Sequence, residues 1–211
     1  MSERVGVFGG MFDPVHDGHM AIARHALELL RLDRLLLVPC NLPNHREAPV
    51  CGAEHRIDML RLACAGEARM EVDSIEIDQG GVSYTARTLE RIRKRLPRAS
   101  IVLVLGLDAF LGLPGWRDPR RLFELAHILV IARGKLPMDY DMAGRFGGVM
   151  TAGPEQLFGG SRGNVLLTEE PRLDISSSAA RELLARDREA PLPAAVLAYV
   201  RENGLYRAGM S

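Results

Sequence analysis

Residues 6–19 constrain the fold of this chain more than any other segment. An apolar strand pattern there is followed by paired glycines, an Asp-Pro turn and two histidines. An amphipathic helix pattern follows at once. Glycines let a backbone approach an anion, and the N–H groups and dipole of a helix start attract one. Either His16 or His19 alone would be an ordinary loop or core residue. Their spacing beside the glycine turn predicts a phosphate-binding site with imidazole donors.

Strand and helix patterns alternate along the rest of the chain. Continuous apolar runs at 35–38, 101–105 and 128–131 are typical of buried parallel strands. The order of elements predicts a Rossmann-like α/β fold, with one parallel sheet and helices on both faces. Ligands of such folds bind outside the carboxyl ends of the strands. A length of 211 residues favours a single domain over 1–211. The apolar face predicted for the first helix consists of Ile22, Ala23, Ala26, Leu27 and Leu30.

Two parts of the chain are less regular. Residues 70–77 predict one or two short strands, and Ser83 or Thr85 is expected to cap the helix after them. Residues 134–163 contain eight glycines and little periodicity. The sequence leaves open whether this glycine-rich stretch is a mobile lid or a variable insert.

Composition narrows the partners that we expect. The 27 basic and 27 acidic residues cancel, which argues against a nucleic-acid partner. Three cysteines without C-x-x-C spacing indicate neither a disulfide framework nor zinc, so we expect reduced thiols in a cytoplasmic protein. We expect no signal peptide and no membrane span, because no apolar run approaches the ~20 residues that a membrane helix needs. Homo-oligomerisation stays open.

Residues 10–19 resemble the nucleotide-binding motif of the nucleotidyltransferase superfamily, G-x-F-D-P-x-H-x-G-H, at every fixed position. With the downstream motifs, the chain resembles bacterial nicotinate-nucleotide adenylyltransferases. Met11 stands where that family usually has threonine, so a hydroxyl contact to phosphate is lost while backbone donors stay. The resemblance implies that His16 and His19 are catalytic. It also implies that ATP contacts both histidines together with Gly9, Gly10, Met11 and Phe12.

A second ATP motif comes late in the chain. Ile175, Ser177 and Ser178 match the family's I-S-S-T-x-x-R, with Arg181 one turn later. Hydroxyls and an arginine at a helix start suit a triphosphate tail, and arginine there opposes the helix dipole unless an anion binds between them. The resemblance also puts Gly106 and Asp108, from a G-x-D motif, near the ATP ribose. An acid after a strand is otherwise often only a helix cap.

Two elements are similar to the family's contacts with the acceptor phosphate. His45 and Arg46 follow Asn44 in a proline-bounded loop that resembles P-P-H-K/R. From spacing alone they would be a solvated loop pair, whereas the resemblance implies a phosphate contact. Arg133 closes a strand, and the family has a phosphate-facing arginine at such a position. In isolation Arg133 would be an ordinary surface charge.

Two more elements resemble the family's pocket for the pyridine ring. Residues 83–89 resemble S-Y-T-x-D-T-L, which implies that the N–H groups of Tyr84 and Thr85 hold the pyridine carboxylate. Arg87 replaces the acid that is usual there. Trp116, by default a core residue, would stack on the pyridine ring.

The resemblance implies transfer of the adenylyl group of ATP to nicotinate mononucleotide, giving deamido-NAD and pyrophosphate in NAD biosynthesis. Mg²⁺ would be carried by ATP, with no dedicated metal site. The attacking phosphate is already ionised at pH 7, so catalysis needs positioning and electrostatic stabilisation rather than a general base. The alternatives are adenylyl transfer to nicotinamide mononucleotide or pantetheine phosphate, and a non-catalytic nucleotide-binding module.

Overall fold

The computed structural model describes residues 2–44, 47–132, 142–169 and 175–207. Its strands are β1 (Arg4–Gly10), β2 (Arg34–Pro39), β3 (Met70–Val72), β4 (Ser100–Gly106), β5 (His127–Ala132), β6 (Val149–Thr151) and β7 (Asn164–Glu169). These seven strands form one sheet in the order β3-β2-β1-β4-β5-β7-β6. Every neighbouring pair among them is parallel. The predicted parallel α/β fold is confirmed, and β1 lies inside the sheet between β2 and β4.

Helices connect the strands and cover both faces of the sheet. They are α1 (Asp17–Leu30), α2 (Ala53–Cys64), α3 (Ile75–Gln79), α4 (Thr85–Arg95), α5 (Leu107–Leu111), α6 (Pro119–Leu125), α7 (Met142–Arg145), α8 (Pro154–Leu157), α9 (Ser177–Ala185) and α10 (Ala194–Glu202). A 3₁₀ turn covers Leu113–Gly115. No helix in the described part of the chain is long and apolar enough to cross a membrane.

Each face of the sheet has its own hydrophobic core. One core holds buried residues of α1, α2 and α10, and the other holds buried residues of α4, α5 and α6. Successive residues of β1 serve different cores, since Phe8 belongs to the first and Val7 to the second. All five residues of the predicted apolar face of α1 are buried.

The prediction of strand structure up to residue 77 was wrong beyond Val72. Residues 75–79 form the short helix α3 instead. Local polar contacts favour the helical turn, because Asp73 Oδ1 accepts from the backbone N–H of Ile75 at 3.2 Å and the Ser74 hydroxyl donates to Asp78 at 2.7 Å. Apolar alternation does not reveal such contacts.

The predicted cap of α4 was also wrong. The N-cap residue is Tyr84, and its side chain makes no capping hydrogen bond to a described residue. The Ser83 hydroxyl accepts instead from the backbone N–H of Asn41, at 3.0 Å. The Ser83 hydroxyl, which the local sequence assigns to the helix start, is therefore used in a contact with a segment that is distant in sequence.

The described part of the glycine-rich stretch is built into the sheet. Residues 142–163 include α7, β6 and α8. β6 pairs with β7, with Val149 opposite Asn164. The rest of the stretch, 134–141, lies outside the described residues. Since every described strand joins one sheet, we propose that 1–211 is a single domain.

His127, the first residue of β5, is a buried group that titrates abnormally. It is 1 % exposed, and neither ring nitrogen has a hydrogen-bond partner among the described residues. Burial, with a smaller contribution from the charge of Arg93, lowers the pKa of His127 from 6.5 to about 4. Between those two values the unfolded chain binds a proton that the folded protein does not.

We therefore expect the free energy of unfolding to fall as the pH is lowered from about 6.5 to about 4, by up to about 3 kcal/mol from His127 alone. Above about pH 6.5 His127 is neutral in both the folded and the unfolded chain, so this loss of stability is absent. Urea unfolding at about pH 7.5 and about pH 5 measures the difference. His127→Leu should remove part of it, and an unchanged pH dependence in that variant would contradict the assignment.

Candidate active site

The two predicted histidines lie at the start of α1, just after the loop that follows β1. His16 is the N-cap residue of α1 and is buried, while His19 is half-buried in the first turn. Their rings stack with centroids 3.7 Å apart. The backbone N–H of His16 donates to Nδ1 of His19 at 3.3 Å. Because Nδ1 accepts this bond, neutral His19 carries its proton on Nε2, which makes Nε2 the donor.

Glycines in the motif make room for rings. Phe12 is buried in the left-handed region at φ 50°, and a Cβ on Gly10 would lie 3.0 Å from its ring. A Cβ on Gly18 would lie 3.1 Å from Nδ1 of His16 and 3.7 Å from the side chain of Ile175. The ring of Phe12 in turn packs edge-on against His19, with centroids 5.0 Å apart. A side chain at either glycine would therefore crowd a ring of the motif, and both glycines leave space for the histidine pair and Phe12.

The late motif is brought directly against the early one. The Ser177 hydroxyl donates to the carbonyl of Pro14 at 3.1 Å. Arg181 donates through Nη1 to the carbonyl of Asp13 at 2.7 Å, and through Nη2 to the Ser178 hydroxyl at 3.3 Å. The start of α9 thus lies beside the start of α1, which gathers two helix N-termini and an arginine at one place.

Asp13 holds this region together, and the sequence analysis missed its role. Its carboxylate is 2 % exposed and accepts from the backbone N–H groups of Val50 at 2.7 Å and Cys51 at 3.2 Å. It also accepts from the buried Tyr206 hydroxyl at 2.7 Å. Burial and the charge of Asp13 raise the pKa of Tyr206, so the phenol stays a donor. Asp13 is a fixed position of the nucleotide-binding motif, and that fixed position was the sequence feature that could have indicated its role.

Arg56 is a second residue that the sequence analysis missed. It lies on α2 and is only 1 % exposed. Its guanidinium donates to the backbone carbonyls of Met11 at 2.9 Å, Cys40 at 2.6 Å and Cys51 at 3.3 Å. One side chain therefore ties the loops after β1 and β2 to the segment before α2. Nothing in the local sequence distinguishes Arg56 from a surface arginine.

A cavity of about 400 Å³ opens beside these motifs, at the carboxyl ends of β1 and β4. It brings together predicted residues from both halves of the site. Those in its lining are Gly9, Gly10, Met11, Tyr84, Thr85, Gly106, Asp108 and Trp116. A second group gathers around the histidine pair: Phe12, His16, His19, Ile175, Ser177, Ser178 and Arg181. Gly10 is in the cavity wall, and a Cβ there would lie 3.0 Å from the Phe12 ring, so the two groups are neighbours.

Aromatic and cationic groups surround one part of the cavity. Trp116 is half-buried and lines the cavity just after the 3₁₀ turn. Two guanidinium groups lie over the Tyr84 ring, that of Arg117 at 4.8 Å and that of Arg87 at 5.2 Å from its centroid. This electrostatic setting favours an anionic ligand.

Three predicted residues, His45, Arg46 and Arg133, lie outside the described residues. Pro43 and Asn44, which come just before His45 in the sequence, line the cavity. The role of the three in binding the acceptor phosphate stays a prediction.

Residues 7–183 match the cytidylyltransferase-like family model. Fold, motifs and match together define a nucleotidyltransferase of this family. The chain is also 38% identical, over 98% of its length, to the probable nicotinate-nucleotide adenylyltransferase of Dechloromonas aromatica (strain RCB), of which 99% is covered. It is 40% identical, over 98% of its length, to the probable nicotinate-nucleotide adenylyltransferase of Roseiflexus sp. (strain RS-1), also covered to 99%. The chain therefore belongs to the nicotinate-nucleotide adenylyltransferases, and the family prediction is confirmed.

Solved structures show the same fold. Nicotinic acid mononucleotide adenylyltransferase of Plasmodium falciparum, complexed with NaAD, superposes with a TM-score of 0.74 at 18% identity, covering 97% of both chains. A solved structure from Vibrio parahaemolyticus gives a TM-score of 0.67 at 18% identity, over 99% of this chain and 98% of the other. The Rossmann-like architecture is thus that of the family.

Proposed function

We propose that this enzyme transfers the adenylyl group of ATP to nicotinate mononucleotide, giving deamido-NAD and pyrophosphate. The observation that carries the proposal is the meeting of two motifs, with Ser177 and Arg181 bonded to the loop that presents His16 and His19. A cavity large enough for a small ligand adjoins them. Relatives of the whole chain are named for this activity.

The chemistry follows from where charge develops. The acceptor phosphate attacks the α-phosphorus of ATP in line, a P–O bond forms, and the bond to the leaving pyrophosphate breaks. His19 donates from Nε2 to an oxygen of the transferring group, with His16 beside it. Ser177, Ser178 and Arg181 bind the β and γ phosphates and then the pyrophosphate. Both helix N-termini add positive potential at the same place.

Acceptor binding uses the other part of the cavity. The backbone N–H groups of Tyr84 and Thr85, at the start of α4, are assigned to the pyridine carboxylate, and Trp116 is assigned to the ring face. Arg87 and Arg117 add positive charge next to Tyr84. Gly106 and Asp108, which share the cavity, are assigned to the ATP ribose.

Mg²⁺ enters in this proposal as part of the ATP substrate, because it prefers phosphate and water oxygens to a cage of protein ligands. Among the described residues no group of three or more histidine, cysteine, aspartate or glutamate side chains could hold a metal ion. The cytoplasmic location and the lack of a nucleic-acid partner stay predictions, and the oligomeric state stays open.

The test is pyrophosphate release with ATP and a panel of acceptors: nicotinate mononucleotide, nicotinamide mononucleotide and pantetheine phosphate. We expect kcat/KM to favour the nicotinate compound over the nicotinamide compound by about tenfold to a hundredfold or more. The amide oxygen could accept from only one of the N–H donors of Tyr84 and Thr85, and the NH₂ group would face the other. Such a mismatch in a buried site costs on the order of 1–3 kcal/mol.

Trp116→Ala is the matched control for this selectivity. The two pyridine rings have the same size and shape, so the variant should weaken both nucleotides alike and keep their ratio. Equal kcat/KM values in the wild type would overturn the placing of the carboxylate. Turnover of pantetheine phosphate alone, or of no acceptor, would support one of the alternative functions.

A further inference from the structure

Glu76 is an acidic residue in the cavity wall that the proposed chemistry does not use. It lies on α3 and lines the same cavity as Tyr84 and Thr85. The Thr88 hydroxyl donates to its Oε1 at 2.6 Å. An acid beside a site for an anion opposes binding unless it supplies something else.

The start of α4 is held from two sides. Thr88 is buried one turn into α4, its hydroxyl donates to Glu76, and its backbone N–H donates to the carbonyl of Tyr84 at 3.1 Å. Ser83 Oγ accepts from the N–H of Asn41, and the Ser83 N–H donates to the carbonyl of Leu42 at 2.8 Å. Glu76 thus joins α3 to the first turn of α4, while Ser83 joins the residue before Tyr84 to the segment that follows β2.

The chemistry of a carboxylate suits this junction. An ionised carboxylate only accepts, so the Thr88 hydroxyl must act as the donor toward Glu76. Burial raises the pKa of Glu76, while the Thr88 and Ser83 hydroxyls oppose that rise. The bond from Thr88 therefore favours the ionised form of an acid that would otherwise be costly to ionise in the cavity wall.

We propose that Glu76 is a positioning residue for the acceptor. The hydrogen bond from Thr88 to Glu76 holds the N-terminal turn of α4 against α3, while Ser83 holds the residue before Tyr84 against the segment after β2. In that arrangement the N–H groups of Tyr84 and Thr85 converge on one ligand group. The proposal rests on the proposed function, because it assumes that the acceptor binds at this helix start.

The experiment measures acceptor and ATP binding separately. Trp116 is the only tryptophan of the chain and lines the cavity, so its fluorescence reports binding of nicotinate mononucleotide directly. Glu76→Ala should weaken that binding and raise the KM for the nucleotide by about tenfold, the scale of a lost hydrogen bond to a charged group. The KM for ATP should change less than about threefold, and Glu76→Gln should recover part of the loss.

A coupling measurement separates positioning from a general loss of structure. Thr88→Val keeps the side-chain volume and removes one donor to Glu76. Its effect on acceptor binding should be smaller than that of Glu76→Ala, and the double variant should bind no worse than Glu76→Ala alone. If Glu76→Ala does not fold, Thr88→Val carries the test, and it should weaken binding of the acceptor but not of ATP.

Asp78→Asn is the matched control. Asp78 lies on the same short helix and accepts from the Ser74 hydroxyl at 2.7 Å, but it is exposed. Its variant should bind both substrates as the wild type does. Unchanged acceptor binding in Glu76→Ala, or an equal loss of acceptor and ATP binding, would overturn the role of Glu76. Failure of the wild type to bind or turn over nicotinate mononucleotide would instead defeat the proposed function.

Discussion

Replacing His19 with alanine should lower kcat by about 10²- to 10³-fold, the usual effect of removing one hydrogen-bond donor from a transition state. The KM for ATP should change little, because His19 is assigned to charge that develops during transfer. The bond from the His16 N–H to Nδ1 fixes which nitrogen of His19 donates. Steady-state kinetics on the purified variant, with its folded fraction measured by thermal melting, checks this result.

His25 provides the matched control, since it is a half-buried histidine on the same helix. Its Nε2 lies 3.5 Å from the Thr168 hydroxyl, on the side of β7. His25→Ala should leave kcat close to that of the wild type. If His19→Ala lowered only the melting temperature, and turnover per folded molecule held, His19 would be a structural residue.

The strand–turn–helix unit at the start of the chain could be predicted because its determinants are local. Gly10 makes room for Phe12, and Gly18 makes room for His16, in each case across two residues of sequence. Helix α1 shows its buried face through apolar spacing alone. The start of α9 could be found in the same way, since hydroxyls and an arginine within one turn form a local pattern.

The interior of the site could not be predicted, because its contacts join distant segments. Arg56 has the sequence context of a surface residue, yet it reaches a carbonyl 45 residues earlier, that of Met11. Glu76 falls in a stretch that alternates like a strand, and Ser83 appears to local reasoning only as a helix cap. Periodicity indicates which face of an element is buried, but not which carbonyls or hydroxyls of other loops lie over that face.

Replacing Asp13 with alanine should lower the free energy of unfolding by about 3–5 kcal/mol, the scale for removing one partner from a buried charged network. The variant leaves the N–H groups of Val50 and Cys51 and the hydroxyl of Tyr206 without their acceptor. Each buried donor left unsatisfied costs about 1–3 kcal/mol. Urea unfolding at neutral pH, with the slope compared between variants, measures the loss.

Tyr206→Phe tests the same network from its other end. It removes a single donor and keeps the ring packed, so we expect a smaller loss, of about 1–3 kcal/mol. The double variant should be less destabilised than the sum of the single variants, because Asp13→Ala has already taken away the acceptor of the phenol. The network also positions Arg181, whose Nη1 lies 3.9 Å from Oδ2 of Asp13, so Asp13→Asn should raise the KM for ATP more than that for the acceptor. If the losses in free energy of unfolding of the two single variants were strictly additive, Asp13 and Tyr206 would stabilise the protein independently. The buried hydrogen bond between them would then not be what holds Tyr206 to the active-site loop.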